Sequence, residues 1–380
     1  MRRLARSAWT RLRRPASFLL LPLSLLPLGG AIPLVLEAHS TYLRYYVSPA
    51  FAAPVNVLTV SERAQFTTLP AFTGAIPVLV YHGIGSAPGA DTVSRRAFAA
   101  QMQTLHLAGY RTVSIAQYAR FQQGDATGLP ARPILITFDG GRLDSFRGAD
   151  RILAREDFRA TMFVVTGNIA DRNPLYLDWT ELHRMRQSGR WDIQPESYQG
   201  ATEVAVDRRG DLRPFYAMRR YLRSTGPETF AAYQRRVGGD LFTLAGQFSA
   251  QGIPIHAIAL PFGDYGQLDP GNDPRVVPFV LGLLRTQFGT VFVQSAGNDP
   301  SYDTAAGGGP QQRWAAGDLT TPEQLYSWLR AHDPGASPAA HSNPTTVTPV
   351  PQRPRHGVKD VRHHQLRRTT PRRRAAAHRT

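Results

Sequence analysis

Short apolar runs alternate with longer amphipathic stretches through most of this chain. The runs lie at residues 78–81, 112–115, 134–138, 161–165, 191–193, 257–260 and 291–293. Their length and their β-branched and aromatic content predict strands. Between them the apolar spacing becomes helical. Ser94 can cap a helix over 95–109 that carries Phe98, Met102 and Leu105 on one face. Asp178-Trp-Thr-Glu181 has capping-box spacing for a helix to Ser188, stopped at Gly189. Pro227 suits the first turn of a helix over 228–251, and Thr321-Pro-Glu-Gln324 opens a last one to about Ala331. Strands alternating with helices over 77–331 predict an α/β fold with a parallel sheet, closed as a barrel or doubly wound.

The flanks follow other patterns. Residues 18–36 carry no charge, and a helix of that length would span roughly 28 Å, about one hydrocarbon thickness. Arg2, Arg3, Arg6, Arg11, Arg13 and Arg14 precede it. This predicts a cytoplasmic Arg-rich segment over 1–17, a transmembrane signal anchor over 18–36, and a single-pass cell-membrane protein with its domain outside the cytoplasm. The alternative is a cleaved signal and a secreted protein, although Leu36-Glu37-Ala38 is a poor cleavage site. Residues 37–76, with Pro49, Pro54 and Pro70, read as a spacer holding one or two short strands. Residues 332–380 lose all periodicity and become rich in Pro, Arg and His, which predicts a disordered basic tail.

Composition narrows the chemistry. The absence of cysteine excludes a disulfide framework, a zinc ribbon, an iron–sulfur site and a thiol nucleophile. The formal net charge of +16 is misleading, because residues 1–16 carry +6 and 334–380 carry +9, leaving +1 for 17–333. In the tail, Arg367-Arg368 and Arg372-Arg-Arg374 have no interleaved aromatic residue for base stacking. No nucleic acid is expected there; anionic wall polymers or lipid headgroups are the expected contacts.

In a parallel α/β fold, chemistry gathers at the carboxyl ends of strands. Those ends offer His82, Asp139, Thr166, Gln194 to Glu196, Pro261 to Asp264, and Gln294. Asp139 stands out, since an apolar strand delivers it to the rim and Gly140-Gly141 leaves room for a ligand at the backbone. An Asp that merely caps the next turn is the plainer alternative.

The order of several motifs resembles the polysaccharide deacetylase family. They are Pro77-Val-Leu-Val-Tyr-His82, Phe98-Ala-Ala-Gln-Met102, Gly109-Tyr-Arg-Thr-Val113, Ile136-Thr-Phe-Asp-Gly-Gly141 and Ala160-Thr-Met-Phe-Val-Val-Thr166. Leu177-Asp-Trp-Thr-Glu-Leu182, Trp191-Asp-Ile193 and Ala259-Leu-Pro-Phe-Gly-Asp-Tyr265 continue the series. The resemblance implies a distorted (β/α) barrel over 77–331 and hydrolysis of N-acetyl, sometimes O-acetyl, groups on cell-wall or surface glycans. It also implies a divalent metal, zinc, that polarises the acetyl carbonyl beside an Asp base.

By the same resemblance, Asp139 is the catalytic base, and His82, Thr166, Phe262 and Asp264 line the substrate groove. The metal ligands depart from the pattern. Gly140 stands where a metal-binding Asp belongs, and Glu196 and Ala201 stand where two His belong. Only Glu196 keeps a side chain able to coordinate, so the metal is expected to be lost and a gap to be left beside Asp139. His106 and His183 fall inside helical patterns and read as packing or surface residues. Two functions stay open: an active deacetylase with an altered site, and a catalytically silent domain that binds glycan or serves as a scaffold. A glycosidase built on Asp139 and Glu196 is a remote third.

Overall fold

Pro133–Phe138 is buried at every residue, as befits a strand covered on both faces of a parallel sheet. The computed structural model describes residues 48, 51–87, 92–268, 271, 273–294, 303–304, 309–317, 321–331 and 333. The expected anchor at 18–36, the segment 1–17 and the tail, Asp333 apart, lie outside the described residues. Among the described residues, no helix is long and apolar enough to cross a membrane.

The principal strands are β1 (Val78–Tyr81), β2 (Arg111–Thr112), β3 (Pro133–Phe138), β4 (Ala160–Val165) and β5 (Trp191–Ser197). They continue with β6 (Ala257–Ala259), β7 (Thr290–Val293), β8 (Gln311–Gln312) and β9 (Trp314–Ala315). Helices alternate with them: α1 (Arg95–Leu107), α2 (Ile115–Gln122), α3 (Leu143–Arg155), α4 (Trp179–Gln187), α5 (Phe230–Ala250), α6 (Val276–Phe288) and α7 (Pro322–Ala331). One parallel sheet has the order β9-β1-β3-β4-β5, with β2 added at the start of β3, and a second has the order β6-β7-β8.

Of the expected distorted (β/α) barrel, the parallel α/β arrangement is present, but barrel closure is not: the two parallel sheets are joined by no ladder among the described strands. At one seam the Gln194 side chain substitutes for the ladder. Its Oε1 accepts the His256 and Ala257 N–H groups at 2.7 and 3.0 Å, and its Nε2 donates to the Pro254 carbonyl at 3.0 Å. At the other seam β8 pairs with β7 while β9 pairs with β1. Arg313 stands between them, its N–H bonded to the Val293 carbonyl at 3.2 Å.

Alternation along β3 decides which groups can meet. Ile134, Ile136 and Phe138 join the large core under the helices with Leu79, Tyr81, Phe98 and Trp191. Leu135 faces the other way and packs with Val78, Phe163, Ala257 and Phe292. Thr137 and Asp139 continue that inner row by the period of two. Asp139 thus reaches the carboxyl rim on the inner face.

Local signals account for several departures from the sequence reading. The 112–115 run is strand only to Thr112, because Ser114 and Gln117 form a capping box and Ile115 opens α2. Pro227 does not start α5. Gly226–Pro227 pairs with Tyr221–Leu222, and the Thr229 hydroxyl caps the helix two residues later by accepting the Ala232 N–H. The capping boxes at Asp178 and Thr321 form as expected. Within the expected spacer, a capped helix at Val60–Gln65 sits between Val57, Leu58, Phe66 and Leu69, all buried in the main core. This stretch is integral to the folded unit.

Candidate functional site

Asp139 follows β3 directly, and its N–H bonds to the Tyr81 carbonyl of the neighbouring strand at 3.0 Å. The residue is 5 % exposed, and its carboxylate lies in the fork of Arg313, with Oδ1 accepting from Nη1 at 2.6 Å and Oδ2 from Nη2 at 2.7 Å. Parallel bonds of this kind are among the strongest pairings available to a carboxylate. Nη1 also reaches the Thr137 hydroxyl at 3.4 Å, and the guanidinium lies 5.6 Å from the Phe163 ring centroid and 6.0 Å from that of Phe292. Asp139 is thus paired with a protein cation.

Glu196 arrives through a bulge. Val164 pairs with Pro195 and Val165 with Ser197, so Glu196 is the extra residue on β5. A bulge bends its strand and re-aims a side chain, and Pro195, which has no N–H to give a ladder, suits the position. The buried Glu196 carboxylate accepts the Gly140 N–H at 2.6 Å. Burial, and then the negative charge of Asp139, push its carboxyl well above the ordinary value, against the opposing pull of the Gly140 N–H and Arg313. Arg313 pairs directly with Asp139, and burial beside that carboxylate favours the protonated form of Glu196 over a wider pH range than for an ordinary carboxyl.

The other residues named from the sequence take varied places. His82 is half-buried just after β1, and its carbonyl accepts from the Ser145 hydroxyl; it makes no hydrogen bond to either carboxylate. Thr166 is buried at the end of β4 with its hydroxyl 3.5 Å from the Ser197 carbonyl. Phe262 is 49 % exposed on the turn after β6, at φ +61°. A left-handed backbone at a bulky residue is strained and marks a constrained rim. Asp264 is buried and holds its own turn by accepting the Gly266 N–H at 2.7 Å. His106 bonds to the Glu156 carbonyl and His183 to Gln251, as packing residues would.

The sequence reading passed over three residues that matter here. Arg313 is the first. Asp240, from α5, accepts the Tyr198 and Gln199 N–H groups at 3.1 and 2.6 Å together with the Tyr216 hydroxyl. Tyr216 is buried, and desolvation followed by Asp240 pushes its hydroxyl well above the usual value. Together they pin the loop that leads to Ala201. A side chain on Gly200 would come within 2.3 Å of the Tyr216 ring, so this loop is packed too tightly to shift cheaply.

A catalytic zinc needs about three protein donors. Gly140 and Ala201 offer none, Glu196 already accepts the Gly140 N–H, and both Asp139 oxygens face Arg313. Among the described residues no group of three or more His, Asp or Glu could hold a metal ion. The donor set does not fit zinc.

The family model for polysaccharide deacetylase matches residues 127–234. Over 115 residues, the chain is 30 % identical to YxkH of Bacillus subtilis (strain 168), a protein named for a polysaccharide deacetylase. That match spans 30 % of this chain and 39 % of the relative, about two fifths of its length. The fold is similar to that of a de-N-acetylase from Aggregatibacter actinomycetemcomitans, with TM-score 0.57 and 18 % identity over 67 % of this chain and 99 % of the other. It is also similar to the BpsB deacetylase domain from Bordetella bronchiseptica, with TM-score 0.53 and 21 % identity over 65 % of this chain and 97 % of the other.

Proposed function

We propose, from the chain's membership of the polysaccharide deacetylase family, that its domain binds acetylated cell-surface glycan and has given up the family's metal-assisted hydrolysis. The observation that carries this reading is the commitment of both carboxylates at the rim. Asp139 is held in the fork of Arg313 and Glu196 by the Gly140 N–H, and among the described residues no third donor stands beside them to complete a metal site. Arg313 supplies the positive charge of the site from within the chain, and a divalent ion placed beside it would meet like-charge repulsion in a desolvated setting.

The retained features support binding. The strand ends still form a rim, the loop after β5 is pinned by Asp240, and Phe262 presents an exposed aromatic ring there. We further propose, on the uncharged run at 18–36 behind six arginines, that the domain is displayed outside the cytoplasm on a membrane anchor. Recovery of the protein from the culture medium, cut after about residue 38, would count against the anchor.

The test of the main reading is metal content and acetate release on the same preparation. The purified chain, incubated with zinc and dialysed, is expected to retain no stoichiometric metal and to release no acetate from N-acetylated oligosaccharides, while still binding them. One retained zinc per chain, with acetate release abolished by Asp139→Asn, would show an active deacetylase instead.

A further inference from the structure

Two cavities adjoin on the α3–α4 side of the carboxylate site. The first, of about 540 Å³, opens beside Gly140, where a side chain would lie 3.9 Å from the Tyr176 ring that lines it. The second, of about 560 Å³, lies between the helical turn Thr166–Ala170 and the start of α4. Leu143, Pro174 and Tyr176 line both, so the 174–176 segment stands between them. That segment is fixed to the turn after Asp139. The Leu143 N–H donates to the Leu175 carbonyl at 3.0 Å, and the Leu177 N–H donates to the Gly141 carbonyl at 2.9 Å. Each cavity falls within the range of roughly 300–1,000 Å³ usual for small-ligand sites.

Charged groups on both walls are engaged within the protein. In the first cavity Arg95 donates to the Ala52 carbonyl at 2.5 Å, and Arg142 engages both oxygens of Asp144. In the second, Asp178 and Glu181 are taken up by the capping box of α4. What each cavity offers a ligand is aromatic and neutral polar. Phe51 and Tyr176 line the first. Trp179 lines the second, its ring held edge-to-face by Phe248 at 5.7 Å, together with Asn168, Asn173 and Thr180. Asn173 Oδ1 accepts the Leu175 N–H at 3.1 Å, which turns its amide NH₂ to donor work. Rings beside amides and a hydroxyl suit a neutral sugar, which has an apolar face and hydroxyl or acetamido edges. A single sugar would use one cavity, whereas a linear chain crossing the 174–176 segment uses both. We infer that the second cavity is an additional sugar subsite, so that the domain recognises a stretch of several residues of a linear, neutral glycan chain. The inference rests on the glycan-binding reading above and specifies its ligand.

The test compares N-acetylated chitobiose with N-acetylated chitotetraose by titration calorimetry on the full chain. The tetrasaccharide should bind at least about tenfold more tightly, because one chain then engages both cavities. Two variants address the second cavity alone. Thr180→Trp places a large ring there from an exposed position on α4, and Asn168→Ala removes an amide from its wall. Each should lower chitotetraose affinity towards that of chitobiose and leave chitobiose binding unchanged. Equal affinity of the unaltered chain for the two sugars would overturn the second subsite and leave the glycan-binding reading standing. A length preference that survives either variant would also overturn it, by placing the rest of the chain elsewhere on the domain. Binding of neither sugar would sink the glycan-binding reading itself, and the subsite with it.

Discussion

Replacing Arg313 tests the central pairing most directly. In Arg313→Met the aliphatic part of the side chain is kept, while the guanidinium that bridges Asp139 and approaches Thr137 is lost. Asp139 then stays buried next to Glu196 with no cation between them. Breaking a buried ion pair from one side costs about 3–5 kcal/mol, because the abandoned charge is desolvated and unmatched. For a domain of this size each kcal/mol lowers the melting temperature by roughly 2–4 °C, so a drop of about 10 °C is expected. The double variant Asp139→Leu/Arg313→Met removes both charges and should recover at least half of the loss. Urea denaturation of the four proteins gives the coupling as a double-mutant cycle. A single-variant loss under about 1 kcal/mol, or a double variant as unstable as the two single losses combined, would refute the argument that Arg313 holds the site together.

Glu196→Gln isolates the second carboxyl. Glu196 is raised well above its ordinary value of 4.5, so its contribution is complete below that value and is lost as pH rises through the folded one. Gln copies the protonated form and can still accept the Gly140 N–H. Denaturation between about pH 5 and 9 should therefore show a flatter profile for the variant and equal or greater stability at the alkaline end; a parallel profile would contradict the assignment. Restoring Gly140→Asp, Glu196→His and Ala201→His together should create measurable zinc affinity by calorimetry. The left-handed backbone at Gly140, φ +88°, should lower stability in that variant by about 1–2 kcal/mol. No gain in zinc affinity would mean that the three positions do not converge. Gly148→Ala should destabilise the fold by at least 1–3 kcal/mol, since its methyl would lie 2.2 Å from the Ile84 carbonyl oxygen. An unchanged melting temperature would show that α3 can slide past the Ile84 backbone.

By itself the sequence determined the parallel α/β class. Buried parallel strands must be apolar on both faces, and that demand is written in the runs around Val78, Ile134 and Thr161. The helix starts at Ser94, Asp178 and Thr321 were equally legible, because a cap is a local hydrogen bond between residues three apart. Asp139 was legible too, as a carboxylate at the end of such a strand. Closure was not, because the seams depend on one side chain, Gln194, and on one residue, Arg313, that passes a strand between sheets. Neither leaves a periodic trace. Tertiary structure alone decided that Glu196 turns inward, since a bulge is a count of residues on one strand against those on its partner. It also decided that the cation beside Asp139 is a guanidinium from a residue 174 positions away in the chain. A contact at that separation is set by the packing of the whole fold.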